Sequence, residues 1–299
     1  MKRYLIDRRS LLRHSVTGAI GLAALPQLGS RTLADDTTSQ RALKGNIHHS
    51  VARWTFDFLS LEELCQLSTE LGITAIDLVG PEEWPVLQRY GLDSSMCNGA
   101  ELSLEDGWGD TRFHSELIER YLHHIDLVSQ AGYTNLICFS GNARGMSPEQ
   151  GLQNAETGLK EILAQAEAKG VVLQMELFNS KIDHPDYICD NSAWGIELCR
   201  RLDSPNFKLL YDIYHMQISE GDVIRTISEN HRFFGHYHTA GVPGRHEIDD
   251  TQELNYPAIC RAIRDTGFQG YIAQEFLPDR TSQQAKIESL QAAIQRCDV

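Results

Sequence analysis

The sequence predicts a closed (β/α)8 barrel, and three observations carry that expectation. Eight short apolar segments recur, each followed by a helix signal. The last four of these segments end on a carboxylate or an imidazole, at Glu176, Asp212, His238 and Glu275. The spacings between those four residues, 36, 26 and 37 positions, each match about one strand-helix unit with its loops. An open doubly wound sheet would also alternate, but it gathers ligands at a single switch point rather than from four successive strands. Neither a second domain nor a short-period repeat is visible.

The elements follow in order. Asn46–Val51 reads as the first strand, and Ser60 with Glu63 forms a capping box opening a helix that Gly72 stops. Ala75–Val79 is the second strand, Glu82–Tyr90 a short helix ended at Gly91, and Leu92–Asn98 the third strand. A loop with Gly99 and Trp108 leads to a helix over Arg112–Ala131, then Asn135–Phe139 forms strand four. Ser147 and Pro148 open the fourth helix, which Gly170 terminates. The remaining strands fall at 171–176, 207–212, 233–238 and 270–275, with helices near 190–203, 220–230, 255–266 and 283–296.

The N-terminus has a different character. Arg8-Arg9-Ser10 precedes a weakly apolar stretch, Val16–Leu25, and then Thr32-Leu33-Ala34, which suits cleavage after Ala34. Paired arginines before such a stretch resemble a twin-arginine export signal over residues 1–34, with a polar linker over 35–45 and the barrel over 46–299. This predicts engagement with the twin-arginine export machinery and a periplasmic location, or a cytoplasmic one if the signal is inactive. The whole chain carries a formal charge of −14, and residues 1–34 hold six basic groups and one acidic group, which leaves −19 on the rest. So acidic a body repels phosphate backbones, so a nucleic-acid partner is not expected. No apolar run in the mature region is long enough to cross a membrane. Seven cysteines without a Cys-x-x-Cys pair do not make a disulfide framework, and Cys138 and Cys260 are expected as small core residues. Self-association is left open.

Three carboxylates and one imidazole at the mouth of a barrel form a hard ligand set. It suits Mn²⁺ or Mg²⁺, with Co²⁺ or Zn²⁺ also accepted through the imidazole. A carboxylate at the end of an apolar strand is costly to leave unpaired, which is a further reason to expect a cation there. Two glutamates flanking a divalent ion suit proton transfer next to a carbonyl, one glutamate taking the proton and the other returning it. Return at the neighbouring carbon is an aldose–ketose isomerisation, and return at the opposite face is an epimerisation; residue types do not choose between them. His215, three residues past Asp212, is placed to hydrogen-bond a substrate oxygen, or else to cap the next helix. The turn from Gly241 to Gly244 is expected to throw Arg245, His246 and Glu247 over the mouth, where the planar fork of Arg245 matches a carboxylate or vicinal hydroxyls. Trp54, Trp108 and Phe139 are candidates for the pocket wall. Asp77 and Asp203 are assigned no part in metal binding.

Four segments carry a family resemblance: Tyr211–Gln217, Glu220–Arg225, Gly235–Glu247 and Glu253–Tyr256. Together they resemble the hydroxypyruvate isomerases, members of the xylose isomerase-like TIM barrels, whose relatives include ketose 3-epimerases and endonuclease IV. The likeness covers about residues 46–298 and is most specific in the second half. It implies metal ligands at Glu176, Asp212, His238 and Glu275, with Glu176 and Glu275 doubling as acid and base. It further implies interconversion of hydroxypyruvate and 2-hydroxy-3-oxopropanoate through an enediolate. At His238 the sequence departs from the bacterial hydroxypyruvate isomerases, which carry Gln there, and agrees with the ketose epimerases. A ketose 3-epimerase, or another isomerase or epimerase of a hydroxycarbonyl or sugar, is therefore the alternative. A sugar lyase or hydrolase, a non-catalytic sugar-binding barrel and an endonuclease IV-type phosphodiesterase are weaker rivals; the last needs more histidines and a basic groove.

Overall fold

A computed structural model describes residues 42–299. The expected signal over 1–34 and most of the linker over 35–45 lie outside the described residues. From there the chain alternates strand and helix eight times. The strands are β1 (His48–Ala52), β2 (Ala75–Val79), β3 (Asp93–Cys97), β4 (Asn135–Cys138), β5 (Val172–Glu176), β6 (Phe207–Asp212), β7 (Phe234–Thr239) and β8 (Tyr271–Gln274). Each pairs in parallel with its sequence neighbours and β8 closes on β1, for example through Ser50 opposite Ala273. The alternation expected from the sequence is therefore that of a closed barrel.

Local chemistry sets the helix ends. In α1 (Leu61–Leu71) the Ser60 side chain accepts from the Glu63 backbone N–H at 3.2 Å, and the Glu63 carboxylate accepts from the Ser60 N–H at 2.8 Å. Such a cap contributes about 1 kcal/mol. The buried positions Leu61, Leu64, Cys65 and Ser68 recur at helical spacing, so one face of α1 packs on the sheet. Between β2 and the middle of the barrel come α2 (Trp84–Arg89), α3 (His114–Ala131), α4 (Pro148–Lys169) and α5 (Ser192–Leu202).

One element was not expected. Directly after β6 the chain forms α6 (Ile213–Ser219), seven residues long, before α7 (Val223–Asn230). The side chain of Asp212 explains it by accepting from the His215 N–H at 3.1 Å, which starts a helix at the end of the strand. The set is completed by α8 (Tyr256–Asp265) and α9 (Gln283–Cys297). Residues next to the C-terminus hold the start of the barrel: Lys44 N–H donates to Asp298 Oδ1 at 3.0 Å, and Asn46 donates to the Val299 carbonyl at 2.9 Å.

Two backbone features shape the mouth. The loop after β3 lies against the end of β4, with Trp108 N–H donating to the Phe139 carbonyl at 3.0 Å and Gly109 N–H to the Ser140 carbonyl at 2.7 Å. Only glycine fits at position 107, where a Cβ would stand 2.3 Å from the Phe139 carbonyl oxygen. In β2 the pairing with β3 slips on both sides of Asp77, and Leu78 adopts φ 57°. Such an irregularity re-aims a side chain, here that of Asp77. All seven cysteines are free and buried, Cys138 and Cys260 among them as expected of small core residues. Among the described residues no helix is long and apolar enough to cross a membrane.

Candidate active site

Parallel strands in a closed barrel all end on one rim, so residues far apart in sequence meet there. Glu176 ends β5, Asp212 ends β6, His238 lies in β7 and Glu275 follows β8. Each offers a ligand atom within 4.8 Å of the others, and all four residues are buried. The His238 Nδ1 atom is 3.1 Å from Glu176 Oε1 and 2.8 Å from Glu275 Oε2. The other ring nitrogen, Nε2, is 2.9 Å from Asp77 Oδ2.

Arg245 reaches the same group. Its Nη2 atom is 2.6 Å from Glu275 Oε2 and 3.5 Å from Asp212 Oδ2. The guanidinium lies between two aromatic rings, 5.3 Å from the centre of Trp54 and 5.4 Å from that of Tyr214. Trp54 also donates from Nε1 to Glu275 Oε1 at 2.8 Å, so both oxygens of Glu275 are engaged.

These neighbours set the proton affinities. Burial pushes Glu176 up to about 7; the charges of Glu275 and Asp212 add to this, while His238 opposes it. Burial likewise lifts Asp212 to about 6 against the pull of Arg245. Burial acts on Glu275 too, but the charges of His238 and Arg245 overcome it and hold this carboxyl well below its usual range. His215 is fully buried and held well below the ordinary histidine range, first by burial and then by Arg245, so it is neutral.

His215 sits beside the cluster, with Nε2 3.6 Å from Asp212 Oδ2 and Nδ1 accepting from Asn179 at 2.7 Å. Two buried polar atoms near the carboxylates have no hydrogen-bond partner, His215 Nε2 and Arg245 Nε. Buried donors are normally satisfied, so both are suited to meet a ligand oxygen.

A cavity of about 590 Å³ opens beside Glu176, Glu275 and Arg245. Trp54, Phe139 and Phe178 form part of its wall, together with Asn98, Gly99 and Glu101–Leu104 from the loop after β3. Trp108, a candidate for that wall, is instead fully buried against Tyr121, with ring centres 5.2 Å apart.

His246 and Glu247 do not join the group. His246 is exposed, with Nδ1 3.1 Å from the Leu277 carbonyl oxygen, and Glu247 accepts from Asp279 N–H at 3.0 Å and faces Arg280 at 3.3 Å. The turn accounts for this. Arg245 takes a left-handed φ of 61°, and Gly241 bridges His246, so the chain reverses and sends the next two side chains toward the loop after β8.

Sequence reasoning missed two residues. His184 lines the cavity and stacks on Phe178 at 4.1 Å, yet it belongs to a loop with no periodic signal. Asp77, assigned no role, lies against His238; only a mid-strand acid in an otherwise apolar segment hinted at it.

A metal fits the donor set. Three buried carboxylates meet one imidazole and one arginine, which leaves a surplus of negative charge suited to a hard divalent cation.

The family model described as the xylose isomerase-like TIM barrel matches residues 60–297. The chain belongs to this family. Among relatives of this xylose isomerase-like barrel, a 2-oxo-tetronate isomerase of Cupriavidus necator is 37% identical over 113 residues, which span 38% of this chain and 43% of that one. The chain thus spans less than half the length of that relative. A Drosophila melanogaster protein, provisionally named a hydroxypyruvate isomerase, is 27% identical over 236 residues, 75% of this chain and 88% of that one. A solved structure, an AP endonuclease of family 2 from Brucella melitensis, superposes with a TM-score of 0.72 at 20% identity, over 82% of this chain and 97% of that one. At that identity the likeness shows the fold alone.

Proposed function

We propose that the protein is an isomerase of small hydroxycarbonyl acids such as hydroxypyruvate or 2-oxo-tetronate, working by proton transfer between neighbouring carbons. The observation that carries this reading is the pair Glu176 and Glu275. Both are buried, both line the cavity and both meet one imidazole nitrogen, His238 Nδ1, at 3.1 and 2.8 Å, which brings two carboxylates to one bound substrate. Two carboxylates so placed can take a proton from one carbon and return one at its neighbour. The names of the relatives support the same class of reaction.

Glu176, Asp212, His238 and Glu275 would hold a divalent ion, Mn²⁺ or Mg²⁺ by the oxygen-rich set, which supplies Lewis-acid polarisation of the substrate's carbonyl and hydroxyl oxygens. One of Glu176 and Glu275, as the carboxylate, takes a proton from the carbon bearing the hydroxyl. The electron pair becomes the double bond of an enediolate of the substrate, the other glutamate delivers a proton to the former carbonyl carbon, and proton exchange with solvent returns both carboxyls to their starting states. The hydroxyl proton moves to the former carbonyl oxygen, with His215 Nε2 donating to these oxygens and steadying their charge. Arg245 pairs with the substrate carboxylate through its free Nε–H. The net change is a shift of two hydrogens with no oxidant consumed.

The paired arginines, the weakly apolar stretch and the Thr32-Leu33-Ala34 ending support export by the twin-arginine machinery and action in the periplasm; unchanged export after Arg8→Lys with Arg9→Lys would argue against it. The catalytic reading is tested by assaying metal-loaded protein with hydroxypyruvate and 2-oxo-tetronate in deuterated water. Turnover with solvent deuterium appearing at the newly protonated carbon is expected. Turnover with complete retention of the substrate hydrogen would replace proton transfer with a hydride shift, and absence of turnover on both acids would remove the substrate class.

A further inference from the structure

Asp77 is a charged residue in the middle of a strand, with no exposure to solvent at all. Nothing in the reaction above uses it. Its strand, β2, is separated from β7 on one side of the barrel by β1 and β8, so contact with β7 must cross the interior. It does cross. Asp77 Oδ2 is 2.9 Å from His238 Nε2, and Oδ1 is 2.9 Å from His236 Nε2. Ser95, on β3, donates to Oδ1 at 2.6 Å. The carboxylate is thus fixed on both oxygens, and the slipped pairing at Asp77 with the left-handed Leu78 is what aims it inward.

An imidazole can offer one nitrogen to a cation only if the other carries the proton. In His238 the nitrogen facing Glu176 and Glu275 is Nδ1, and the nitrogen facing Asp77 is Nε2. A carboxylate on Nε2 keeps the proton there, holds the ring plane and makes Nδ1 a stronger donor. We infer that Asp77 is a positioning residue, a carboxylate in the barrel interior that fixes the tautomer and aim of His238 toward the cation held by Glu176, Asp212 and Glu275. This rests on the reading that the four residues hold a divalent ion. Asp77, His236 and His238 also lie close enough together to form a ligand group of their own. Of the two histidines only His238 hydrogen-bonds Asp77, His236 Nε2 lying 2.9 Å away without a hydrogen bond, and Ser95 takes the other oxygen, so orientation of His238 is the better account.

The test measures Co²⁺ affinity, Co²⁺ absorption spectrum and bound-metal count for wild type, Asp77→Asn and Asp77→Leu, without substrate. Thermal melts of the metal-free proteins check folding. Asp77→Asn keeps an acceptor for Nε2–H but loses the charge, and should bind about tenfold more weakly. Asp77→Leu loses both and should bind about 100-fold more weakly, with a shifted spectrum, while wild type binds one ion per chain. Affinities and spectra within twofold of wild type in both variants would overturn the inference. So would two ions per wild-type chain falling to one in the variants, since Asp77 would then be a ligand itself. If Asp77→Leu does not fold, Asp77→Asn decides alone, with affinity within twofold of wild type again the overturning result. A wild type that binds no Co²⁺ at all would instead sink the metal reading on which the inference stands.

Discussion

Units one to four and units five to eight of the barrel share one backbone plan and end in different chemistry. The later strands finish on Glu176, Asp212, His238 and Glu275, which meet at the rim. The earlier ones finish on cavity wall: Trp54 after β1, Asn98, Gly99 and Glu101–Leu104 after β3 and Phe139 after β4. The one charged group that β2 contributes to the site lies beneath His238, not on the cavity. Reactive groups are therefore concentrated on adjoining strands, where the hydrogen-bonded register fixes their separations, while the opposite side is free to shape the space. If this division holds, substitutions in the later half should damage chemistry, and those in the earlier half should damage binding or folding.

The largest effect is expected from Glu176→Gln and Glu275→Gln. Either keeps a neutral oxygen near the cation but removes a proton carrier, so turnover should fall by about 10²–10⁴-fold. Steady-state kinetics with metal content measured alongside checks this. Full metal occupancy with near-normal turnover in both would assign chemistry elsewhere.

Arg245→Met should come next. Losing a charge-assisted hydrogen bond to a substrate carboxylate removes about 1.5–3 kcal/mol, equal to a rise in KM of roughly 10–100-fold. Neutral ketoses should be affected far less. Equal losses on acids and neutral sugars would mean that Arg245 serves Glu275 and Asp212 and not the substrate.

In the earlier half, Trp54→Phe keeps an aromatic wall under Arg245 but removes the N–H that holds Glu275. We expect about a fivefold to tenfold loss in kcat/KM with unchanged metal binding. Isothermal titration with the metal alone separates the two contributions.

His49, in β1, should leave turnover untouched and act on stability. Burial holds it down at about 4, against the pull of Asp298, while an unfolded histidine titrates near 6.5. As pH falls below 6.5 the unfolded chain gains a proton that the folded chain refuses. Stability is therefore full above that pH, declines toward pH 4 and levels off below. The limiting loss is about 3 kcal/mol. His49→Leu should flatten this decline, as urea denaturation at pH 7.5 and 4.5 would show; an unchanged difference between the two pH values would clear His49 of the effect.

Much of this was legible in the chain because it depends on local rules. Apolar segments of strand length, the Ser60–Glu63 cap and the stops at Gly72 and Gly170 are short-range signals, and they place the strands and most helices within a few residues. The four strand-end ligands could be found because regular spacing in sequence becomes adjacency when eight parallel strands close. The helix after Asp212 was missed because a side chain that looked committed to a cation also caps a backbone N–H. His246 and Glu247 were read as mouth residues from their nearness to Arg245, whereas one left-handed residue turned them away.

By itself, then, the sequence determined the barrel, the order of its units and the four groups at its rim, since periodicity and chain length leave few other ways to bury eight apolar strands. Tertiary structure alone decided that Asp77 faces His238 from across the interior. Those two residues are 161 positions apart, and no local pattern reports a contact made through the centre of a closed sheet. It likewise decided that Glu176 and Glu275, alike in sequence, differ in proton affinity, because Arg245 and Trp54 come to rest on Glu275 alone while His238 touches both.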